Sequence, residues 1–181
     1  MNPLQLKHWH PFTGVLHFCI ALFTTINMLT GIFLPSTFWV LPHGISGCLL
    51  ALTVLIHWVW SFTYQNKAML HHQFPYTKEL RKTIWEDLHN LFKFKIPVRG
   101  RPGGLPGMVE GFGLLAITLM SLTGPFLFGD YLYNADHIHL NWLLNVHGFF
   151  ANFVWIYWCG HVGMALLTFY IEKKRGCPRV S

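Results

Sequence analysis

Three long stretches of this chain contain no Asp, Glu, Lys or Arg: His8–Asn66, Gly111–Gly129 and His137–Ile171. A surface in contact with water cannot be built from segments of that length without charge. A bilayer core about 30 Å thick takes roughly 20 apolar residues per helix. In lipid the backbone must satisfy its own hydrogen bonds, so such segments cross as helices or as closed barrels. Pro35-Ser36 divides the first stretch. We read four spans at about Phe12–Leu34, Phe38–Thr63, Gly107–Phe128 and Asn141–Ile171, the last long enough to protrude or tilt. Composition agrees: of 181 residues, 52% are hydrophobic and only 11% charged, where soluble domains carry about 25% charged residues. A soluble enzyme, a disordered regulator and a nucleic-acid module are excluded. The expected fold is all-α, an integral membrane four-helix bundle, with residues 1–181 forming a single domain.

The net charge of +6 reports topology. Lys7 precedes the first span. Lys67, Lys78, Arg81, Lys82, Lys93, Lys95, Arg99 and Arg101 lie between spans two and three. Lys173, Lys174, Arg175 and Arg179 follow span four, which accounts for all 13 Lys and Arg. The opposite face has only Asp130 and Asp136. Positive charge is retained on the cytoplasmic side, so the expected orientation is N-in/C-in, with no nucleic-acid partner. No small-residue cleavage site follows the first span, which is expected to remain as an anchor. Trp39, Tyr64, Tyr131, Tyr133 and Trp142 fall near the predicted interfaces, where amphipathic rings belong.

Between spans two and three lies a long connection, about Tyr64–Pro106. Within it Leu80, Ile84, Leu88, Leu91 and Phe92 recur at helical spacing. This predicts an amphipathic helix over Tyr76–Phe94, started by Thr77 and lying on the cytoplasmic surface, where it seats the bundle. Arg99–Gly107 reads as a loop by its Gly and Pro content. The four cysteines (Cys19, Cys48, Cys159, Cys177) form no C-x-x-C, which excludes zinc-ribbon, thioredoxin-like and covalent c-type haem sites. Leu29-Thr-Gly-Ile-Phe-Leu34 echoes Leu122-Thr-Gly-Pro-Phe-Leu127, a likeness too short to establish a repeat.

Ionisable residues inside spans are functional candidates by default. Span two carries His43 and His57, and span four His147 and His161; each pair is 14 residues apart. Fourteen residues rise about 21 Å, roughly four turns, so the two imidazoles of one helix share a face near opposite membrane surfaces. Both helices run outside to inside. His43 and His147 therefore lie at one depth, His57 and His161 at another, and His17 of the antiparallel first span also reaches the inner level. A single intramembrane histidine is as readily a packing residue as a ligand, but matched spacing on two helices is not what packing alone produces. Two levels of imidazoles suit two stacked haems, each held from two helices. Gly14, Gly44, Gly47, Gly148 and Gly160 lie near these residues and would let a flat macrocycle approach.

The other candidates have simpler readings. His8, His71, His72 and His89 read as solvated and His10 as interfacial. His137 and His139 form an H-x-H that reads as an exposed polar loop, with a surface metal site as the alternative. Glu110 reads as an interfacial anchor, with proton acceptor beside a quinone as the alternative. The aromatic stretch Phe149–Trp158 reads as packing and lipid contact.

On these residues the chain resembles the bacterial di-haem cytochrome b561 family, which includes the membrane cytochrome b subunits of nickel–iron hydrogenases and formate dehydrogenases. His17 is followed 13 residues on by Thr30-Gly31, the second span opens with His43-Gly-Ile-Ser-Gly47, and the fourth carries His147 and His161. The resemblance implies an outer haem b between His43 and His147 and an inner haem b between His17 and His161. One departure is His57, where family members commonly have arginine. With His57 the pattern is also similar to cytochrome b of quinol-oxidising complexes, whose two helices supply all four ligands. His17 is the first choice for the inner ligand, and His57 is the alternative, or else a partner for an inner haem propionate. The resemblance implies a multi-pass protein of the bacterial inner membrane that carries electrons between a redox partner protein and quinone. A superoxide:quinone oxidoreductase is a rival reading, opposed by the lack of outer Lys or Arg to attract the anion. A haem-free, histidine-rich metal transport or assembly protein is another, opposed by the scarcity of acids in the spans.

Overall fold

A computed structural model describes residues 11–33, 37–63, 74, 76–93, 104–134 and 139–174. All regular structure among them is helical: α1 (Pro11–Ile32), α2 (Thr37–Ser61), α3 (Lys78–Phe92), α4 (Gly104–Tyr133) and α5 (Asn141–Lys174). Four of these, all but α3, are long and apolar enough to cross a membrane. Lys7, Lys67, Lys95, Arg99, Arg101, Arg175 and Arg179 lie outside the described residues, as do Asp136, Tyr64, Cys177, His8, His10, His71, His72 and His137.

The outer surface of the bundle has the character expected of a lipid-facing protein. Phe18, Val59 and Ile156 are 63%, 64% and 72% exposed; a contiguous apolar surface of this kind marks contact with something other than water. The interior is a modest cluster of Met28, Leu50, Val54, Ala116, Ile117 and Val154, flanked by Trp58, Trp155 and Trp158. In α2 Leu50 and Val54 fall between His43 and His57, and in α5 Val154 falls midway between His147 and His161. The apolar core therefore separates the two histidine levels.

Backbones pack α1 on α2, α2 on α4 and α4 on α5. The circuit from α5 back to α1 is closed by side chains. One closure is the Trp158 indole N–H, which donates to Thr25 Oγ1 at 3.1 Å; across the bundle the Trp58 indole donates to Thr118 Oγ1 at 2.9 Å. The α5 helix thus stands off from α1 and α2, and both histidine pairs described below bridge that gap.

The amphipathic helix of the long connection is present as α3. The Thr77 hydroxyl caps it by accepting from the Leu80 N–H at 3.2 Å, satisfying one of the free donors of the first turn. It is fastened to α4 by Asp87, which is buried and accepts from the Leu105 N–H at 3.0 Å. Gly104, at φ +81°, lies against the Asp87 carboxylate in a backbone conformation that suits glycine. The helix therefore begins at Gly104, three residues before the expected start at Gly107. Pro106 is tolerated there because its missing N–H falls in the first turn. At the other end α4 continues through Pro125 to Tyr133, beyond the expected Phe128.

Candidate functional site

The sequence-derived histidines meet in facing pairs. The rings of His43 (α2) and His147 (α5) have centroids 6.4 Å apart at an interplanar angle of 80°. Those of His17 (α1) and His161 (α5) are 6.3 Å apart at 52°. His17 is exposed, whereas His43, His57, His147 and His161 are half-buried. The ring that faces His161 is therefore that of His17. His57 lies close enough to His17 to interact with it electrostatically, but its buried Nδ1 has no hydrogen-bond partner among the described residues.

These separations can be tested against coordination chemistry. An imidazole nitrogen sits about 2.0–2.1 Å from a divalent metal, and the ring centroid lies about 1.1 Å beyond it. Two rings on opposite faces of one ion are then spaced by about 6.3 Å, the separation seen at both levels. Among the described residues no three His, Cys, Asp or Glu side chains converge; the imidazoles meet in twos. Two axial nitrogens suit an iron whose equatorial positions are filled by a porphyrin.

A cavity of about 490 Å³ opens at the His43–His147 level, within the roughly 300–1,000 Å³ of small-molecule and cofactor sites. Both imidazoles line it, with Gly31, Gly44, Gly47, Gly124 and Gly148. Three of these glycines, Gly44, Gly47 and Gly148, were singled out by the sequence; Gly14 and Gly160, also singled out, do not line this cavity. Gly31 and Gly124 are additions. A Cβ on Gly31 would stand 3.5 Å from His43 Cε1, and one on Gly124 would stand 3.4 Å from His147 Cε1. Both distances are ordinary van der Waals contact, so each glycine lies directly beside an imidazole.

The residues before those glycines complete the arrangement. Thr30 Oγ1 lies 3.0 Å from His43 Nδ1, and Thr123 Oγ1 lies 2.7 Å from His147 Nδ1. Sequence reasoning missed these contacts, although the repeated Leu-Thr-Gly was the available signal. At the other level Tyr157 stacks obliquely on His161, centroids 5.3 Å apart. Its ring lies against the backbone of Gly113. Glu110, half-buried one turn earlier on α4, interacts electrostatically with Tyr157.

A polytopic helical bundle with imidazoles facing one another across a glycine-lined cavity defines a class: membrane proteins that grip a flat metallocofactor between helices. Residues 8–179 match the prokaryotic cytochrome b561 family, and the chain belongs to it. It is accordingly a multi-pass membrane cytochrome of the b-haem type, concerned with transmembrane electron transfer. No curated protein and no solved structure matches the chain.

Proposed function

We propose that the protein carries electrons across the bacterial inner membrane through two b-type haems, between a redox partner protein and the quinone pool. The single observation that carries this reading is the equal spacing of two imidazole pairs, 6.4 and 6.3 Å, at two levels of one bundle. His43 and His147 hold one iron and His17 and His161 the other. When bound, the haems supply reversible one-electron chemistry.

The chain's own residues do the rest. Leu50, Val54, Ile117 and Val154 keep water out of the space between the levels. Glycines at the His43–His147 cavity let the macrocycle approach the helices. His57 is the remaining imidazole of the His17–His161 level, and its unpartnered Nδ1 suits a polar substituent of that haem, such as a propionate. The orientation is N-in/C-in. It places the His17–His161 pair near the cytoplasm and α3 on the cytoplasmic surface, with Trp85 and Phe92, 72% and 77% exposed, in the headgroup zone.

The test is a redox-titrated optical spectrum with haem and iron stoichiometry on the purified full chain. The expected result is two b-type components, with His43→Ala and His147→Ala each removing the same component and sparing the other. Two haems per chain in both variants would refute the assigned ligands. A colourless, iron-free preparation from cells amply supplied with haem would end the haem reading altogether.

A further inference from the structure

Each imidazole of the α2–α5 pair touches a threonine from a helix that carries neither of them: Thr30 of α1 for His43 and Thr123 of α4 for His147. A threonine hydroxyl has one proton. That of Thr30 points at its own helix, with the Ile26 carbonyl at 2.8 Å and the Asn27 carbonyl at 3.2 Å. That of Thr123 does likewise, with the Leu119 and Met120 carbonyls at 3.1 and 3.0 Å. This back-bond is the habitual one for helical threonine. With the proton so engaged, the oxygen offers only lone pairs to the imidazole. The imidazole must then be the donor, with its hydrogen on Nδ1. A neutral imidazole with its hydrogen on Nδ1 has its lone pair on Nε2.

We propose that Thr30 and Thr123 are positioning residues that hold His43 and His147 in the Nδ1–H tautomer. Both bare Nε2 atoms are thereby presented to one iron, and the potential of that iron is set from two helices outside its ligand set. The proposal rests on the haem reading given above. An acceptor on Nδ1–H makes the imidazole a stronger donor to the metal. This favours the ferric state and lowers the potential.

The sequence supports the pairing independently. Leu29-Thr30-Gly31 precedes His43-Gly44 on the first hairpin, and Leu122-Thr123-Gly124 precedes His147-Gly148 on the second. In each hairpin the threonine meets the imidazole Nδ1, and the glycine beside it lies against that ring. The same short motif makes the same contacts twice, once for each imidazole of a single pair.

The experiment uses the full chain, purified after expression with ample haem, as wild type, Thr30→Val, Thr123→Val, Thr30→Ser and Thr123→Ser. Haem content, redox-titrated spectra and low-temperature EPR are recorded for each. A wild type without haem defeats the reading on which the proposal rests, and does so before any variant is made. With two haems in the wild type, each Val variant is expected to shift one component to higher potential and to alter its low-spin EPR signal. The other component is unchanged, and Ser restores the wild-type values. Loss of that one component in Val with retention in Ser supports the proposal equally. Val variants with both potentials and both EPR signals unmoved overturn it, as does loss of the component in Val and Ser alike, which would show that the hydroxyl is not what matters.

Discussion

Replacing Asp87 by alanine releases the start of α4 from α3. Asp87 is 6% exposed, and its carboxylate accepts from the Leu105 N–H at 3.0 Å. Removing it leaves that N–H without its partner, a loss of about 1–3 kcal/mol. It also removes a negative charge from a helix N-terminus, worth about 0.3–1 kcal/mol. The sum is about 1–4 kcal/mol for Asp87→Ala. Asp87→Asn keeps a carbonyl acceptor and loses only the charge, so its cost is about 0.3–1 kcal/mol. Gly104→Ala attacks the same clip from the other side. Its φ of +81° costs a Cβ-bearing residue about 1–2 kcal/mol, and the new methyl meets the Asp87 carboxylate. The two substitutions share one contact, so the double variant should fall short of the sum. The assay is unfolding of the detergent-solubilised protein in rising dodecyl sulfate, followed by circular dichroism and by the haem bands. Leu105 and Thr123 are 18 residues apart, about 27 Å along α4, so the potential at the His43–His147 level should not move. An Asp87→Ala variant within about 0.5 kcal/mol of wild type, the scatter of ordinary surface substitutions, would show that the clip does not hold the helices together.

Three further outcomes are expected. His17→Ala should remove the haem component that survives in His43→Ala, while His57→Ala should retain two haems and shift one potential; haem counts reversed between the two variants would make His57 the ligand. The ring planes of His43 and His147 are near perpendicular at 80°, against 52° for His17 and His161. Because near-perpendicular imidazoles leave two iron d orbitals almost degenerate, the ferric component lost in His147→Ala should have the larger EPR g-anisotropy of the two, and the reverse assignment contradicts the ring geometry. Gly113→Ala places a methyl where the Tyr157 ring lies; it should cost about 1–3 kcal/mol by overpacking and perturb the spectrum of the His161 component alone.

The four spans were legible because the bilayer imposes a length and an absence of charge that a sequence displays directly. The two histidine levels were legible for a similar reason, since depth along a helix is only residue number times rise. Which residue faces His161 was not legible from depth alone, although the resemblance put His17 first. His17 and His57 reach the same depth, and the choice depends on how α1 and α2 are rotated about their axes, which packing decides. The ends of α4 were misplaced at Gly107 and Phe128 because Gly and Pro punctuate soluble chains strongly. Here Asp87 supplies an acceptor for the early start, and proline is tolerated within membrane helices. The threonines were visible only as an echo. Their meaning lies in contacts between helices, 13 residues apart in one hairpin and 24 in the other, and no periodicity within a single helix contains that.

The echo extends further once the contacts are known. His17 precedes Thr30 by 13 residues, and Glu110 precedes Thr123 by 13; His57 follows His43 by 14, and His161 follows His147 by 14. The two hairpins therefore correspond position by position at every functional residue, with α1 equivalent to α4 and α2 to α5. At the His43–His147 level the correspondence is complete: equivalent imidazoles face each other, each backed by an equivalent threonine. At the other level it is broken. Equivalence would set His57 against His161, yet His161 faces His17, whose own counterpart is a carboxylic acid. The break follows from the packing, because α2 lies on α4 through its backbone whereas α5 stands off from α1. The gap beside α5 is thus crossed from α2 at one level and from α1 at the other. One level is left chemically symmetric, and the other gains an unpaired imidazole, His57, and an acid, Glu110, that the symmetric level lacks. Those extra polar groups distinguish the His17–His161 level from the His43–His147 level, where the two hairpins contribute alike.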